Sequence, residues 1–240
     1  MIIIPARMAS SRFENKVLAD VLGLPMVIRT ALQVKDIDDV AIATDSKEVV
    51  EIANKHNIKA IMTSSLHNSG TDRVNECANL LGLNDDDIVI NVQADEPFIE
   101  KEIIFKVYEN LQEMISKNQE FVMNSCYKTI SSQEANDPNF VKVVLDDESR
   151  ALYFSRSKIP FNRDNSSDID YFGHLGIYGF SKKSLNRFCS LKPSSLENIE
   201  KLEQLRALQA GYSIHMIKVE SKSFGIDTKE DLQKAIKVFG

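Results

Sequence analysis

Three consecutive β-branched residues, Ile2-Ile3-Ile4, open the chain and stop at Pro5, after which Ala-Arg-Met-Ala-Ser-Ser-Arg-Phe-Glu-Asn-Lys leads to Lys16. An unbroken β-branched run reads as a strand buried on both faces, the pattern of a parallel sheet. Parallel strands need crossover helices, so this opening is consistent with an α/β domain. In open α/β sheets ligands bind beyond the carboxyl ends of the strands, which puts the loop after Ile4 at the binding edge. That loop holds Arg7, Arg12 and Lys16 against one acid, Glu14. Its Ala9, Ser10 and Ser11 let the backbone approach an anion closely. The loop reads as a cradle for a polyphosphate; the alternative is a basic loop facing water.

The rest of the first half agrees. Pro25 suits the first turn of a helix through about residue 35. Residues 40–43 read as a strand, and Ser46 can cap a helix whose Val49, Val50, Ile52 and Ala53 recur at helical spacing. A strand over 58–62, a helix from Gly70 to about 81, a strand over 87–92 and a helix over about 100–117 complete a βαβ pattern. In the second half, strands over 121–127, 141–145, 151–155 and 176–180 lack long helices between them, which predicts a mixed or antiparallel extension. Residues 162–170 form a polar loop. A helix over 196–210 closed by Gly211, a strand over 214–219 and a capping box at Thr228 and Asp231 follow.

Composition narrows the partners. With 29 basic and 35 acidic residues the net charge is −6, which argues against nucleic acid or a membrane as a partner and makes any anion site local. Cys77, Cys126 and Cys189 are odd in number and far apart, and read as reduced thiols of a cytoplasmic protein. The opening apolar run is too short for a secretory signal. No run approaches the roughly 20 apolar residues of a membrane helix.

Four constellations can carry chemistry. After the strand over 87–92 come Gln93, Ala94, Asp95, Glu96 and Pro97; Asp95 is placed to bind Mg²⁺, which takes one or two carboxylates plus phosphate oxygens, or is only a turn residue. Asp227 precedes a capped helix, and two carboxylates sharing a metal beside a phosphate cradle follow phosphoryl-transfer logic; alternatively it is a helix-start residue. Arg156, Arg163, His174 and Tyr178 gather guanidinium forks that suit a carboxylated, hydroxyl-rich substrate, although a lone His is more often structural. In the helix over 196–210, Glu203 and Arg206 fall within the apolar stripe of Leu196, Ile199, Leu202, Leu205 and Leu208. They pair with each other at i,i+3 or face substrate, and Gln204 at the stripe's edge can face a sugar hydroxyl.

Taken in order, the stretches IIIPARMASSRFENK, ATDS, HNSGTDR, NVQADEP, NFVKVVLD, ALYFSRSKIPFNRD, HLGIYGF, LENIEKLEQLRAL and GIDTKEDL resemble the 3-deoxy-manno-octulosonate (Kdo) cytidylyltransferases of lipopolysaccharide biosynthesis over essentially the whole chain. The resemblance implies an α/β, Rossmann-like nucleotidyltransferase fold. Its central sheet would be mostly parallel, flanked by helices, with a smaller mixed or antiparallel extension. It also implies a homodimer and the Mg²⁺-dependent reaction of CTP with Kdo to give CMP-Kdo and pyrophosphate. Residues 1–240 would form one domain: 1–120 the CTP-binding half, 121–215 the sugar-binding and dimerisation region, 216–240 the metal-ligand segment and last helix. By position, Arg7, Ser10, Ser11, Arg12 and Lys16 would hold the triphosphate, and Thr71, Arg73 and Gln93 would lie along the nucleotide and sugar. Asp95 and Asp227 would bind magnesium, acting with Arg7 and Lys16 as the catalytic set. Arg156, Arg163, His174, Tyr178, Glu203 and Gln204 would shape the Kdo site. The chain departs from the family at Phe13-Glu14-Asn15-Lys16, where Leu-Pro-Gly-Lys is usual, and at Asp72, Ala94 and Lys229, where Glu, Gly and Pro are. The rival readings are a cytidylyltransferase for an 8-position Kdo variant or a nonulosonic acid, and a nucleotide-binding module without turnover.

Overall fold

The computed structural model describes residues 1–8, 13–119, 121–164, 166 and 169–240. These form two compact units, one of residues 1–105 and 221–240 and one of residues 106–220.

In the first unit β1 (Ile2–Ala6) leads to a 3-10 turn at Lys16–Leu18 and an antiparallel ribbon of β2 (Asp20–Val21) and β3 (Leu24–Pro25). Then follow α1 (Met26–Val34), β4 (Val40–Thr44), α2 (Lys47–Lys55), β5 (Lys59–Met62), α3 (Gly70–Leu80) and β6 (Ile88–Asn91). Strands β6, β1, β4 and β5 lie side by side in that order, and every pair is parallel. All five residues of β1 are buried, as the β-branched run predicts. The strand continues through Pro5 rather than stopping there. Pairing with β6 ends at Ile3, and Pro5 faces that same side, so its missing N–H costs no ladder bond.

Helix α4 (Lys101–Ser116) carries the chain into the second unit. There β7 (Met123–Ile130), α5 (Ser132–Ala135), β8 (Lys142–Leu145), β9 (Ala151–Ser155) and β10 (Tyr171–Ser181) are followed by α6 (Lys182–Ser190), α7 (Ser195–Glu200), α8 (Leu205–Gln209) and β11 (Ile214–Lys218). β7 is parallel to β11 and antiparallel to β10, while β8 is antiparallel to β10 and β9. This is the mixed pairing expected of the second half. β10 is longer than its sequence signal because the stretch from Tyr171 to Leu175 also pairs with β7.

Two further elements differ from expectation. The single helix over 196–210 is two short ones, because Lys201 adopts a left-handed backbone with φ +56°. The break rotates Ile199 out of the apolar stripe and leaves it 77% exposed. Helix α6, capped by the Ser181 hydroxyl, has no counterpart in the sequence reading.

Close packing of β7 against β10 requires Gly179. A Cβ there would lie 2.2 Å from Asn124 Oδ1 and 2.9 Å from Val107 Cγ1. Asn124 cannot swing aside freely, since its amide donates to Val107 O at 2.9 Å and to Asn110 Oδ1 at 3.0 Å. Gly179→Ala is expected to cost about 1–3 kcal/mol of stability, read as a lower midpoint in thermal unfolding. An unchanged midpoint would mean that the strands have room to spare.

The chain re-enters the first unit along residues 221–228 and ends in α9 (Lys229–Phe239). Thr228 and Asp231 form the capping box read from sequence, without a following proline. Phe239 of α9 stacks on Phe98 at 4.6 Å, and Ile226 and Ala235 are buried with Val21 and Met26. Parallel strands with flanking helices, joined to mixed pairing in the second unit, make the Rossmann-like architecture predicted above. Among the described residues no helix is long and apolar enough to cross a membrane.

Candidate active site

Beyond the carboxyl ends of β1 and β6, the first unit holds a cleft of about 320 Å³ lined by Arg7, Lys16, Gly70, Arg73, Gln93, Asp95 and Asp227 among others. At its centre Lys16 Nζ donates to Asp95 Oδ2 at 2.6 Å and to Asp227 Oδ1 at 2.9 Å. The two acids, far apart in sequence, thus close on one cation. Burial works to lower the Lys16 ammonium, but the two carboxylates outweigh it and hold the group above its usual value. Lys16 is aimed by the turn before it, where Asn15 has φ 52° and ψ 31°. That left-handed position is the one where the family usually has Gly, and Asn is among the few other residues that adopt it readily. The departure therefore leaves the turn intact. Arg7 is exposed at the cleft wall. Ser10, Ser11 and Arg12 lie outside the described residues.

Polar side chains link the cleft to the core. Gln93 Nε2 donates to Asn91 Oδ1 at 3.1 Å, and Asn91 Nδ2 donates to Thr71 Oγ1 at 3.2 Å. Thr71 and Asn91 are buried, whereas Gln93 lines the cleft. Arg73 is buried, and its guanidinium donates to Thr63 Oγ1 at 2.7 Å and Asp45 Oδ2 at 2.8 Å. Its charge is answered within the protein, so it builds the wall. His67, Asn68 and Ser69 also line the cleft and were not singled out from sequence. Their signal is the cap: the Ser69 hydroxyl accepts from Asp72 N and starts α3. A Cβ on Gly70 would come within 3.3 Å of Pro5 Cγ, so the first turn of α3 packs tightly on the end of β1 and brings the helix N-terminus to an anion-binding edge.

The donor set suits a hard divalent ion. Two carboxylates already gathered around an ammonium match Mg²⁺, which completes its shell with phosphate oxygens and water. Among the described residues no cluster of three or more His, Cys, Asp or Glu side chains could by itself hold a metal ion.

In the second unit, the residues expected at an acidic sugar divide into two groups. His174 and Tyr178 on β10 join Gln204 in one network: Ser125 Oγ lies 2.8 Å from His174 Nε2 and 2.7 Å from Ile177 O. Gln204 Nε2 lies 3.5 Å from His174 Nδ1, and Tyr178 donates to Gln204 Oε1 at 3.3 Å. One proton assignment satisfies every member. Ser125 donates to Ile177 O, neutral His174 donates from Nε2 to Ser125, and Gln204 donates to Nδ1. Ser125 was missed from sequence, where a serine inside a strand carries no signal. Burial and the nearby Glu203 charge raise the Tyr178 hydroxyl well above its usual value.

Arg156 belongs to a different set of contacts. Its Nε donates to Glu200 O at 2.8 Å and its Nη1 to Pro138 O at 3.0 Å, while its backbone N–H donates to Glu200 Oε2 at 2.9 Å. The guanidinium thus ties three segments together through carbonyls. Lys142, fully buried, donates to Asp137 O, Phe140 O and Arg156 O and fixes the same corner. Arg163 is exposed in the loop after β9. Arg206 forms a buried ion pair with Glu197 at 2.6 Å.

Burial pushes the His174 imidazole from 6.5 down to about 3. The folded value lies below the unfolded one, so between them the unfolded chain binds the extra proton. Stability is therefore lost as pH falls below 6.5, by up to about 1.4 kcal/mol per pH unit. His174→Gln is expected to flatten the fall in urea midpoint with pH. A wild-type midpoint that stays constant through that window would show that the imidazole protonates without penalty.

Comparison with known proteins places these features in context. The family model described as Cytidylyltransferase matches residues 1–219. The chain is 52% identical, over 100% of its length and 99% of the relative's, to 3-deoxy-manno-octulosonate cytidylyltransferase of Wolinella succinogenes. It is 56% identical, over 98% and 97%, to the protein of that name from Nitratiruptor sp.. A solved structure of CMP:2-keto-3-deoxy-manno-octonic acid synthetase complexed with CTP superposes with a TM-score of 0.87 at 38% identity, covering 99% of this chain and 96% of that one.

Proposed function

This chain belongs to the cytidylyltransferase family, and from that premise we propose that it transfers CMP from CTP to Kdo, giving CMP-Kdo and pyrophosphate. The observation that carries the reading is the closing of Asp95 and Asp227 on Lys16 at the mouth of the parallel sheet. The anomeric 2-hydroxyl of the sugar attacks the α-phosphate in line, and pyrophosphate leaves. Positioning and electrostatics are then the protein's main work. Arg7 and Lys16, with Ser10, Ser11 and Arg12, take the triphosphate; Gln93, braced by Asn91 and Thr71, contacts the nucleotide and sugar. Asp95 and Asp227 would hold magnesium, which would supply charge neutralisation at the phosphoryl oxygens and lower the pKa of the attacking hydroxyl. With a divalent ion on Asp95 and Asp227, Lys16 would give up at least one of the two contacts it now makes. The triphosphate would offer its ammonium replacement oxygens, and Lys16 would then neutralise the leaving group.

His174, Tyr178, Glu203 and Gln204 shape the sugar site, and Arg163 reaches the sugar carboxylate from its loop. Arg156 supports that site by holding the backbone at Glu200 and Pro138. Assembly as a homodimer through the second unit belongs to the same reading, supported by its exposed Leu152, Phe161 and Ile199. The enzyme works in the cytoplasm, where CTP is made.

Pyrophosphate release tests the reading. With CTP and Mg²⁺, Kdo is expected to support turnover far better than its 8-position variant or a nonulosonic acid, and chelation is expected to stop it. Turnover with another acid in place of Kdo would reassign the substrate. CTP binding without pyrophosphate release from any of them would leave only a nucleotide-binding module.

A further inference from the structure

Residues 221–227 have neither helix nor strand, so no periodicity sets where the Asp227 carboxylate points. Ser223 and Ile226 are nevertheless fully buried. The segment is held at three places. At its start, the Glu100 carboxylate accepts from the Ser221 hydroxyl at 2.8 Å, from Lys222 N–H at 2.7 Å and from Ser223 N–H at 3.3 Å. Midway, Glu96 accepts from the Ser223 hydroxyl at 2.7 Å, in a buried contact. At its end, Ile226 N–H donates to Asp95 O at 2.9 Å, and Asp227 N–H donates to Asp231 Oδ2 at 3.1 Å.

Asp95, Glu96 and Glu100 lie on one stretch after β6. That stretch therefore carries one acid of the pair on Lys16 and also grips, through two carboxylates and a carbonyl, the segment carrying the other. Neither Glu96 nor Glu100 lines the cleft. We propose that Glu96 and Glu100 are positioning residues that hold Asp227 against Asp95. The proposal rests on the reading of those two aspartates as the acids that bind the divalent ion with the triphosphate. Orientation of ligands by outer hydrogen bonds is worth about 10–100-fold in metal affinity or activity, and small misplacements of reacting groups are costly.

The role is one of shape rather than charge, which makes it separable. Both backbone N–H bonds end on Glu100 Oε1 and the Ser221 bond on Oε2. A glutamine can accept the two amides with Oε1 and donate from Nε2 to the Ser221 hydroxyl. Glu100→Gln is expected to keep the segment in place, whereas Glu100→Ala releases it.

The experiment measures Mn²⁺ binding to the CTP-loaded protein by electron paramagnetic resonance, without sugar, alongside kcat, the KM for CTP and the thermal midpoint. Glu100→Ala is expected to weaken Mn²⁺ binding and lower kcat by about 10–100-fold each, while the KM for CTP moves less than about threefold. Glu100→Gln restores both. Ser221→Ala, lacking one of the three bonds, falls between them and serves if Glu100→Ala does not fold. A folded Glu100→Ala or Ser221→Ala variant with wild-type Mn²⁺ affinity would overturn the proposal, as would a Glu100→Gln variant as impaired as Glu100→Ala. Failure of the parent reading looks different: the wild type itself would release no pyrophosphate from CTP and Kdo.

Discussion

Asp95→Asn is expected to reduce pyrophosphate release by at least about 10²–10³-fold, the loss typical when one preorganised electrostatic group is removed, with little change in the thermal midpoint. The asymmetry comes from how Asp95 is held. Its side chain is 27% exposed and gives Lys16 one of two acidic partners, so an amide of the same shape leaves Lys16 on Asp227. Its carbonyl, which accepts Ile226 N–H, is untouched, and residues 221–227 keep their course. Chemistry and folding therefore separate at this residue. Wild-type turnover with ordinary magnesium dependence in the variant would remove Asp95 from the metal site and reduce the first unit to a nucleotide cradle.

Lys16→Met should be comparably damaging to turnover, by about 10²–10³-fold, but with a different physical signature. The wild-type ammonium neutralises two carboxylates that share it at 2.6 and 2.9 Å. Without it they face each other as like charges, which disfavours ionisation of both. The variant is expected to melt lower than wild type in metal-free buffer and to regain much of the difference when Mg²⁺ alone is added. Wild type, with its internal cation already in place, should respond less. A thermal midpoint of the Met variant indifferent to Mg²⁺, together with normal activity, would mean that the two acids do not form a cation site.

What could be read in the residues, and what could not, follows from the range of the forces involved. The parallel sheet was legible because Ile2 to Ile4, Val40 to Ala43 and Ile88 to Val92 show burial through local pattern alone. Caps at Ser46 and Thr228 were legible for the same reason: the donor and acceptor lie within one turn. Lys201 was not, because nothing in Leu-Glu-Asn-Ile-Glu-Lys marks a lysine for left-handed backbone, and one such residue redirects everything after it. The continuation of β1 through Pro5 depends on where its neighbour stops pairing. The ion pair of Arg206 with Glu197 joins residues on either side of that break. At the site, the acids were visible as residue types after strands and before a helix. Their union on Lys16 is a property of the folded chain, as are the grip of Glu100 on the amides at Lys222 and Ser223 and the bond of Ser125 to His174.

The contact between Lys16 and Asp227 spans 211 positions of the chain, and this bears on how the molecule matures. Closing so long a loop is entropically late work, done after local helices and neighbouring strands have formed. During refolding, native-like circular dichroism would then precede the ability to capture nucleotide. Catalytic competence is then expected among the last properties the polypeptide acquires.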